Sequence, residues 1–283
     1  MLKLIECPRD AMQGWHHLIP TSEKIAYLNA LLKVGFDTID FGSFVSPKAI
    51  PQMADTREVV AQLDLSAGSS KLLAIVANVR GAEEAVTFEE ISYLGFPFSV
   101  SETFQLRNTN KTIAESLEQV DAMQELCIKN RKELVIYISM GFGNPYGEPY
   151  SPEIVLKYVE EMVKMDIGIV SLADTVGVAD PVTIANLFKH LVPAYPGIEI
   201  GAHFHAAPNN WKEKIMAAYN NGCKRFDSAM KGIGGCPMAK DELVGNLATE
   251  NMIAFCQEQN EPLNLDEAAL LQARQMADMV FRN

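Results

Sequence analysis

Two histidines one residue apart, His203 and His205, close a β-rich run, IEIGAHF, and continue just past it. Side chains alternate between the two faces of a strand, so this spacing sends both imidazoles to the same side. Such a pair suits a metal ion, or two hydrogen-bonded interior histidines without one; aimed at the same place as Asp10, it favours the metal. Arg9 immediately precedes Asp10, and a guanidinium beside a cation can stabilise an enolate oxygen as negative charge develops. A salt bridge from Arg9 to Asp40 or Asp174 is the competing expectation. The segment GIGGCP, residues 232–237, puts Cys236 on a glycine-rich loop. Glycines permit close approach to a ligand or hinge motion over it, whereas an isolated thiol is often a small buried group in a turn. Near a metal and Arg9, the reading of Cys236 as a catalytic thiol is the stronger of the two.

Asp10, His203, His205 and the amide oxygen of Asn246 form a mixed nitrogen and oxygen set that leaves positions open for substrate oxygens. Mg²⁺ or Mn²⁺ fits such a set better than a closed structural zinc, and the two imidazoles also admit Zn²⁺ or Co²⁺.

These residues need a scaffold that brings strand ends together. Eight β-rich runs alternate with helical patterns: residues 2–7, 36–41, 71–77, 91–96, 133–140, 167–173, 198–204 and 224–230. Spacings of roughly 25 to 40 residues match βα units, and eight of them close naturally into a barrel. The fold class is therefore α/β, a (β/α)8 TIM barrel with extra C-terminal helices. Residues 1–283 read as one catalytic domain, with the barrel over about 1–250 and the added helices over about 250–283, covering a barrel end or serving an oligomer contact. Ser151-Pro152-Glu153 and Asp180-Pro181 mark helix starts, followed by apolar stripes that read as core.

Side chains just past the strand ends of such a barrel converge on one face. Besides Arg9 and Asp10, that face receives Gln13, Asp40, Ser43, Asn78, Ser171 and Asp174 as candidate substrate-binding residues, with Asp40 and Asp174 also suited to orienting ligands. Lys48 is a local donor for a polyanionic substrate, as are Arg80, Arg107 and Lys111.

Composition narrows the partners. Apolar residues make up 48% of the 283 and charged residues 21%, ample for a buried core. A net charge of −12 without a basic stripe excludes the electrostatic footprint of a nucleic-acid binder. Five widely spaced cysteines without a C-x-x-C pair fit a reducing compartment. The N-terminus already reads as a strand and no apolar run would span a bilayer, so the expectation is a soluble, cytoplasmic protein.

Several of these motifs resemble those of the 3-hydroxy-3-methylglutaryl-CoA lyases, within the wider group of metal-dependent barrel lyases and Claisen-type synthases. The resemblance runs from residue 2 to about 258, through ECPRDAMQ, SFVSPKAIPQM, SLADTVGV, HFH, GIGGCP and GNLATE. It implies that Asp10, His203, His205 and Asn246 ligate the cation, that Arg9 polarises a thioester carbonyl, and that Cys236 moves a proton at the acetyl-CoA carbon. Asp10 or His203 would take the proton of the C3 hydroxyl. The implied reaction is a retro-Claisen cleavage to acetyl-CoA and acetoacetate, with an acyl-CoA substrate, a homodimer and a place in leucine breakdown as the matching expectations. The chain departs from the pattern at Ala11-Met12, Asp40, Ala206, Lys231 and Met238, of which Asp40, Ala206 and Met238 surround the acyl group. An aldolase or Claisen-type synthase on the same metal is the second reading, and a silent barrel that only binds metal and acyl-CoA the third.

Overall fold

A strand buried on both faces tends to carry apolar residues at successive positions, and each of the eight β-rich runs becomes a largely buried strand, with polar exceptions such as Arg225 and Asp227. In the computed structural model, which describes residues 1–235 and 244–282, the strands are β1 (Lys3–Glu6), β2 (Thr38–Ser43), β3 (Lys71–Ile75), β4 (Ile91–Ser99), β5 (Glu133–Ser139), β6 (Ile169–Asp174), β7 (Glu199–Phe204) and β8 (Arg225–Ser228). They lie in sequence order around a closed barrel, β8 pairing in parallel with β1.

Helices return the chain between strands, and their starts follow the anticipated signals. Ser151 precedes the helix Pro152–Lys164, and Val155, Val159 and Met162 bury its apolar stripe. The Asp180 carboxylate accepts hydrogen bonds from the backbone N–H groups of Val182 and Thr183 at 2.9 and 3.1 Å, so the helix Pro181–Ala194 begins there. The main core lies between strands and helices, while Leu73, Tyr93, Val135, Tyr137 and Ile169 form a separate cluster filling the barrel interior.

The C-terminal region is helical as expected, over Thr249–Glu258 and Glu267–Val280. The last helix packs against the helix Thr21–Leu32 and reaches the turn after β8; just beyond it the Phe281 ring meets Trp15 at 5.2 Å. It thereby clamps the first βα unit to the end of the chain. Among the described residues, no helix is long and apolar enough to cross a membrane.

Register sorts the interior into layers. Tyr137, Ser171, Gly201 and Arg225 pair side by side across β5 to β8. Two residues further along, Ala173, His203 and Asp227 do the same. The second layer leads into the strand-end cavity.

Candidate active site

A cavity of about 290 Å³ opens at the strand ends, and its walls include Arg9, Asp10, Gln13, Asp40, His203 and His205. Arg9 and Asp10 sit in the short helix Pro8–Gln13 that follows β1, with a proline at its first turn, and both are buried. One carboxylate oxygen of Asp10 and one ring nitrogen each of His203 and His205 lie within 4.8 Å of one another, as one cation would require. His203 Nδ1 is hydrogen-bonded to the Asp227 carboxylate at 3.1 Å, so Nε2 is the nitrogen left for a cation. Burial, followed by the neighbouring His203, lowers His205 to about 4, which keeps its imidazole neutral. Burial also opposes charge on His203, but the bond and charge of Asp227, with Asp10, outweigh it and raise its pKa. Asp10 stays below its ordinary value despite its burial, because Arg9, then the two histidines and Asn246, favour the carboxylate.

Cys7, His203 and Asp227 also bring donor atoms within 4.8 Å of one another. That set is the poorer cation site, since His203 Nδ1 is committed to Asp227 and burial drives the Cys7 thiol well above its ordinary pKa.

Arg9 is fixed on two sides. Its Nε and Nη2 donate to Asp40 at 3.0 and 2.6 Å, and Nη1 donates to Asp10 at 3.0 Å. Of the two competing salt bridges, the one to Asp40 forms; Asp174 instead accepts from Lys214 Nζ at 2.7 Å, in a fully buried pair. The same ammonium donates to the carbonyl of His205 at 2.9 Å, so Lys214 braces the backbone of a candidate ligand. Gln13 donates to Asp10 at 2.9 Å.

Asn246 reaches the site through its amide nitrogen, which donates to Asp10 at 2.7 Å and to the Ile233 carbonyl at 2.9 Å. It can come this close because Gly232 and Gly234 adopt φ of +66° and +108° and press their backbone against it. Cys236 and Met238 lie outside the described residues.

Most other candidates fall elsewhere. Asn78 is exposed and caps the helix Val79–Ala85, accepting from Gly81 N at 2.9 Å; a short polar side chain at a strand end served the next helix rather than the cavity. Ser43 is buried and accepts from Val45 N at 3.3 Å within its own turn. Asp174 points away from the cavity toward Lys214. Ser171 is inside the barrel, one layer beneath the cavity wall formed by Ala173. Lys48 is exposed on the loop whose Val45, Ala49 and Ile50 form an apolar wall. Arg107 lines the cavity, its guanidinium 4.7 Å from the centre of the Tyr146 ring.

Asp227, Lys214 and Tyr137 were not singled out from the sequence. Asp227 carried a usable signal: in the run KRFDSAM it is a carboxylate within an interior strand, where a charge needs a partner. Lys214 carried none, for a lysine in a helix ordinarily faces water.

A family model described as HMGL-like matches residues 3–277. The mitochondrial hydroxymethylglutaryl-CoA lyase of Arabidopsis thaliana is 30% identical over 275 residues, covering 96% of this chain and 58% of the relative, so the chain spans little more than half of that protein. A 3-hydroxy-3-isohexenylglutaryl-CoA/hydroxymethylglutaryl-CoA lyase of Pseudomonas aeruginosa is 32% identical over 277 residues, covering 97% and 91%. Among solved structures, an HMG-CoA lyase from Acinetobacter baumannii in complex with coenzyme A and 3-methylmalate superposes with a TM-score of 0.91 at 32% identity, covering 99% of this chain and 91% of that one.

Proposed function

This chain belongs to the HMGL-like family, and from that premise we propose that it is a divalent-metal-dependent carbon–carbon lyase cleaving 3-hydroxy-3-methylglutaryl-CoA to acetyl-CoA and acetoacetate. The observation that carries the reading is the convergence of Asp10, His203 and His205 in a cavity that also holds Arg9.

One carboxylate and two imidazoles fit a divalent cation with open positions, which we assign as Mg²⁺ or Mn²⁺, with Zn²⁺ or Co²⁺ as substitutes. Asn246 joins them through its oxygen if the terminal amide makes a half-turn from its present orientation. A bound cation would supply Lewis acidity toward the substrate oxygens. Asp10 takes the proton of the C3 hydroxyl, since His203 would have Nδ1 on Asp227 and Nε2 on the cation, and the O–H electron pair becomes the second bond of the acetoacetate ketone. The C2–C3 pair passes into the thioester as an enolate, whose oxygen faces the guanidinium of Arg9, held in place by Asp40. Cys236 then delivers a proton to the enolate carbon, a role that rests on sequence.

A second reading of the acyl group is favoured by the apolar wall of Val45, Ala49, Ile50, Ile75, Pro97 and Phe104. Such a wall suits a longer hydrocarbon at C3, the kind named for the Pseudomonas relative. Purified protein supplied with Mn²⁺ and each thioester in turn separates the two by kcat/KM. Preference for the methyl compound supports the first reading, preference for the isohexenyl compound the second, and cleavage of neither overturns both.

We further place the enzyme in the reducing cytoplasm as a homodimer with an acyl-CoA substrate, working as one catalytic domain. Cys7, Cys127, Cys223 and Cys256, all free and buried, support the reducing setting, and light scattering reads the oligomeric state.

A further inference from the structure

Beneath the cavity, the barrel interior holds a polar group that the proposed reaction does not use. Arg225 is fully buried, and of its guanidinium only Nη1 has a partner among the described residues, donating to Glu199 at 2.9 Å. Its Nε and Nη2, the Tyr137 hydroxyl, the Ser171 hydroxyl and Asp227 Oδ1 are buried without a hydrogen-bond partner among those residues. Each such atom gives up its hydration on burial without a protein partner to replace it, which is unfavourable.

These atoms belong together. Arg225, Ser171 and Tyr137 occupy one layer of the barrel, and Gly201 between them is the reason Arg225 fits. A Cβ on Gly201 would stand 2.9 Å from Arg225 Cδ and 3.1 Å from Cγ, so the bare glycine lets the arginine stem lie across β7 toward Ser171 and Tyr137. Asp227 is two residues beyond Arg225 on β8 and points to the same interior side. Its other oxygen, Oδ2, holds His203 Nδ1, and the Tyr137 ring stands edge-on to His203 at 5.8 Å.

Charges along this column alternate. Lys3 pairs with Glu199, Glu199 with Arg225, and Asp227 with His203; above them Asp10 pairs with Arg9, and Arg9 with Asp40. The step from Arg225 to Asp227 is the one link on β8 without a direct bond, and both of its ends carry unmatched atoms. Internal water commonly satisfies clustered buried polar groups, taking two to four partners.

We propose that Asp227 is the positioning residue for His203, and that Arg225 anchors Asp227 from the layer below through internal water shared with Tyr137 and Ser171. The inference rests on reading Asp10, His203 and His205 as a cation site. Asp227 accepts the Nδ1 proton and presents Nε2; Arg225 keeps its carboxylate in place, which an uncompensated interior charge could not do alone.

Two measurements test this without reference to turnover. Titration of metal-free protein with Mn²⁺ by calorimetry should show Asp227→Asn binding about 10- to 100-fold more weakly than wild type. Arg225→Met should shift the affinity the same way with Arg225→Lys restoring it, a rescue that general loss of packing would not give. Wild-type affinity in Asp227→Asn overturns the inference alone, whereas wild-type protein that binds no Mn²⁺ overturns the cation site and the inference with it. A high-resolution crystal structure of the wild type should place a water within hydrogen-bond reach of Arg225, Tyr137 and Ser171. Dry space between Arg225 and Asp227 would overturn the anchoring whatever the variants do.

Discussion

Gly234 and Asn246 approach so closely that a Cβ on the glycine would stand 2.4 Å from the asparagine amide nitrogen, and 3.0 Å from the backbone oxygen of Asp10. The glycine-rich segment is thus part of the wall behind two candidate ligands. Its φ of +108° also lies where side chains are strained. Gly234→Ala should therefore displace Asn246 and weaken Mn²⁺ binding by about tenfold or more, at a strain cost of about 1–3 kcal/mol. Calorimetry on the variant checks this, and unchanged affinity would show that the wall can yield without harm.

Arg9 offers a test of bidentate geometry. Nε and Nη2 grip Asp40 while Nη1 holds Asp10, a fork that lysine cannot reproduce. Arg9→Lys should lower kcat/KM by about 10²–10³, with Mn²⁺ still bound. Steady-state rates close to wild type would mean that only the positive charge matters.

Much of this arrangement was legible from the sequence. Most strands buried on both faces appear as apolar runs that need no knowledge of their neighbours, and the regular alternation with helices placed the rest, including the polar β8. His203 and His205 were readable because a period of two is local, and Arg9-Asp10 because it follows a strand directly. Partnerships were less legible. Asp227 and His203 are 24 residues apart on adjacent strands, and only the barrel register joins them. Lys214 resembles any helix-surface lysine until β6 places Asp174 against it. Asn78 and Asp174 stand at strand ends as expected, yet Asn78 caps a helix and Asp174 holds Lys214, which in turn braces the His205 backbone.

Glu6 gives a pH signature. It is fully buried, accepts from Thr249 Oγ1 at 2.5 Å and Met230 N at 2.8 Å, and burial raises it from 4.5 to about 8. Between those values the folded protein keeps a proton that the unfolded chain has released, so this group's stabilisation is lost as pH rises through the folded pKa. Wild-type Tm should fall between about pH 5 and about pH 8 more than that of Glu6→Gln, the difference amounting to about 1 kcal/mol or more. Parallel Tm curves for the two proteins would exclude Glu6 as the source.

Cys236 separates proton transfer from metal binding. Cys236→Ala should lower turnover by about 10²–10⁴ and leave Mn²⁺ affinity unchanged. Wild-type turnover in the variant would remove the thiol from the reaction.

The most direct measurement follows products through a cycle of metal removal and return. Chelator-treated protein, given 3-hydroxy-3-methylglutaryl-CoA before and after addition of Mn²⁺ under reducing conditions, should form acetyl-CoA and acetoacetate in equal amounts only once the cation is present. Fully metal-loaded protein that releases neither product would contradict the account.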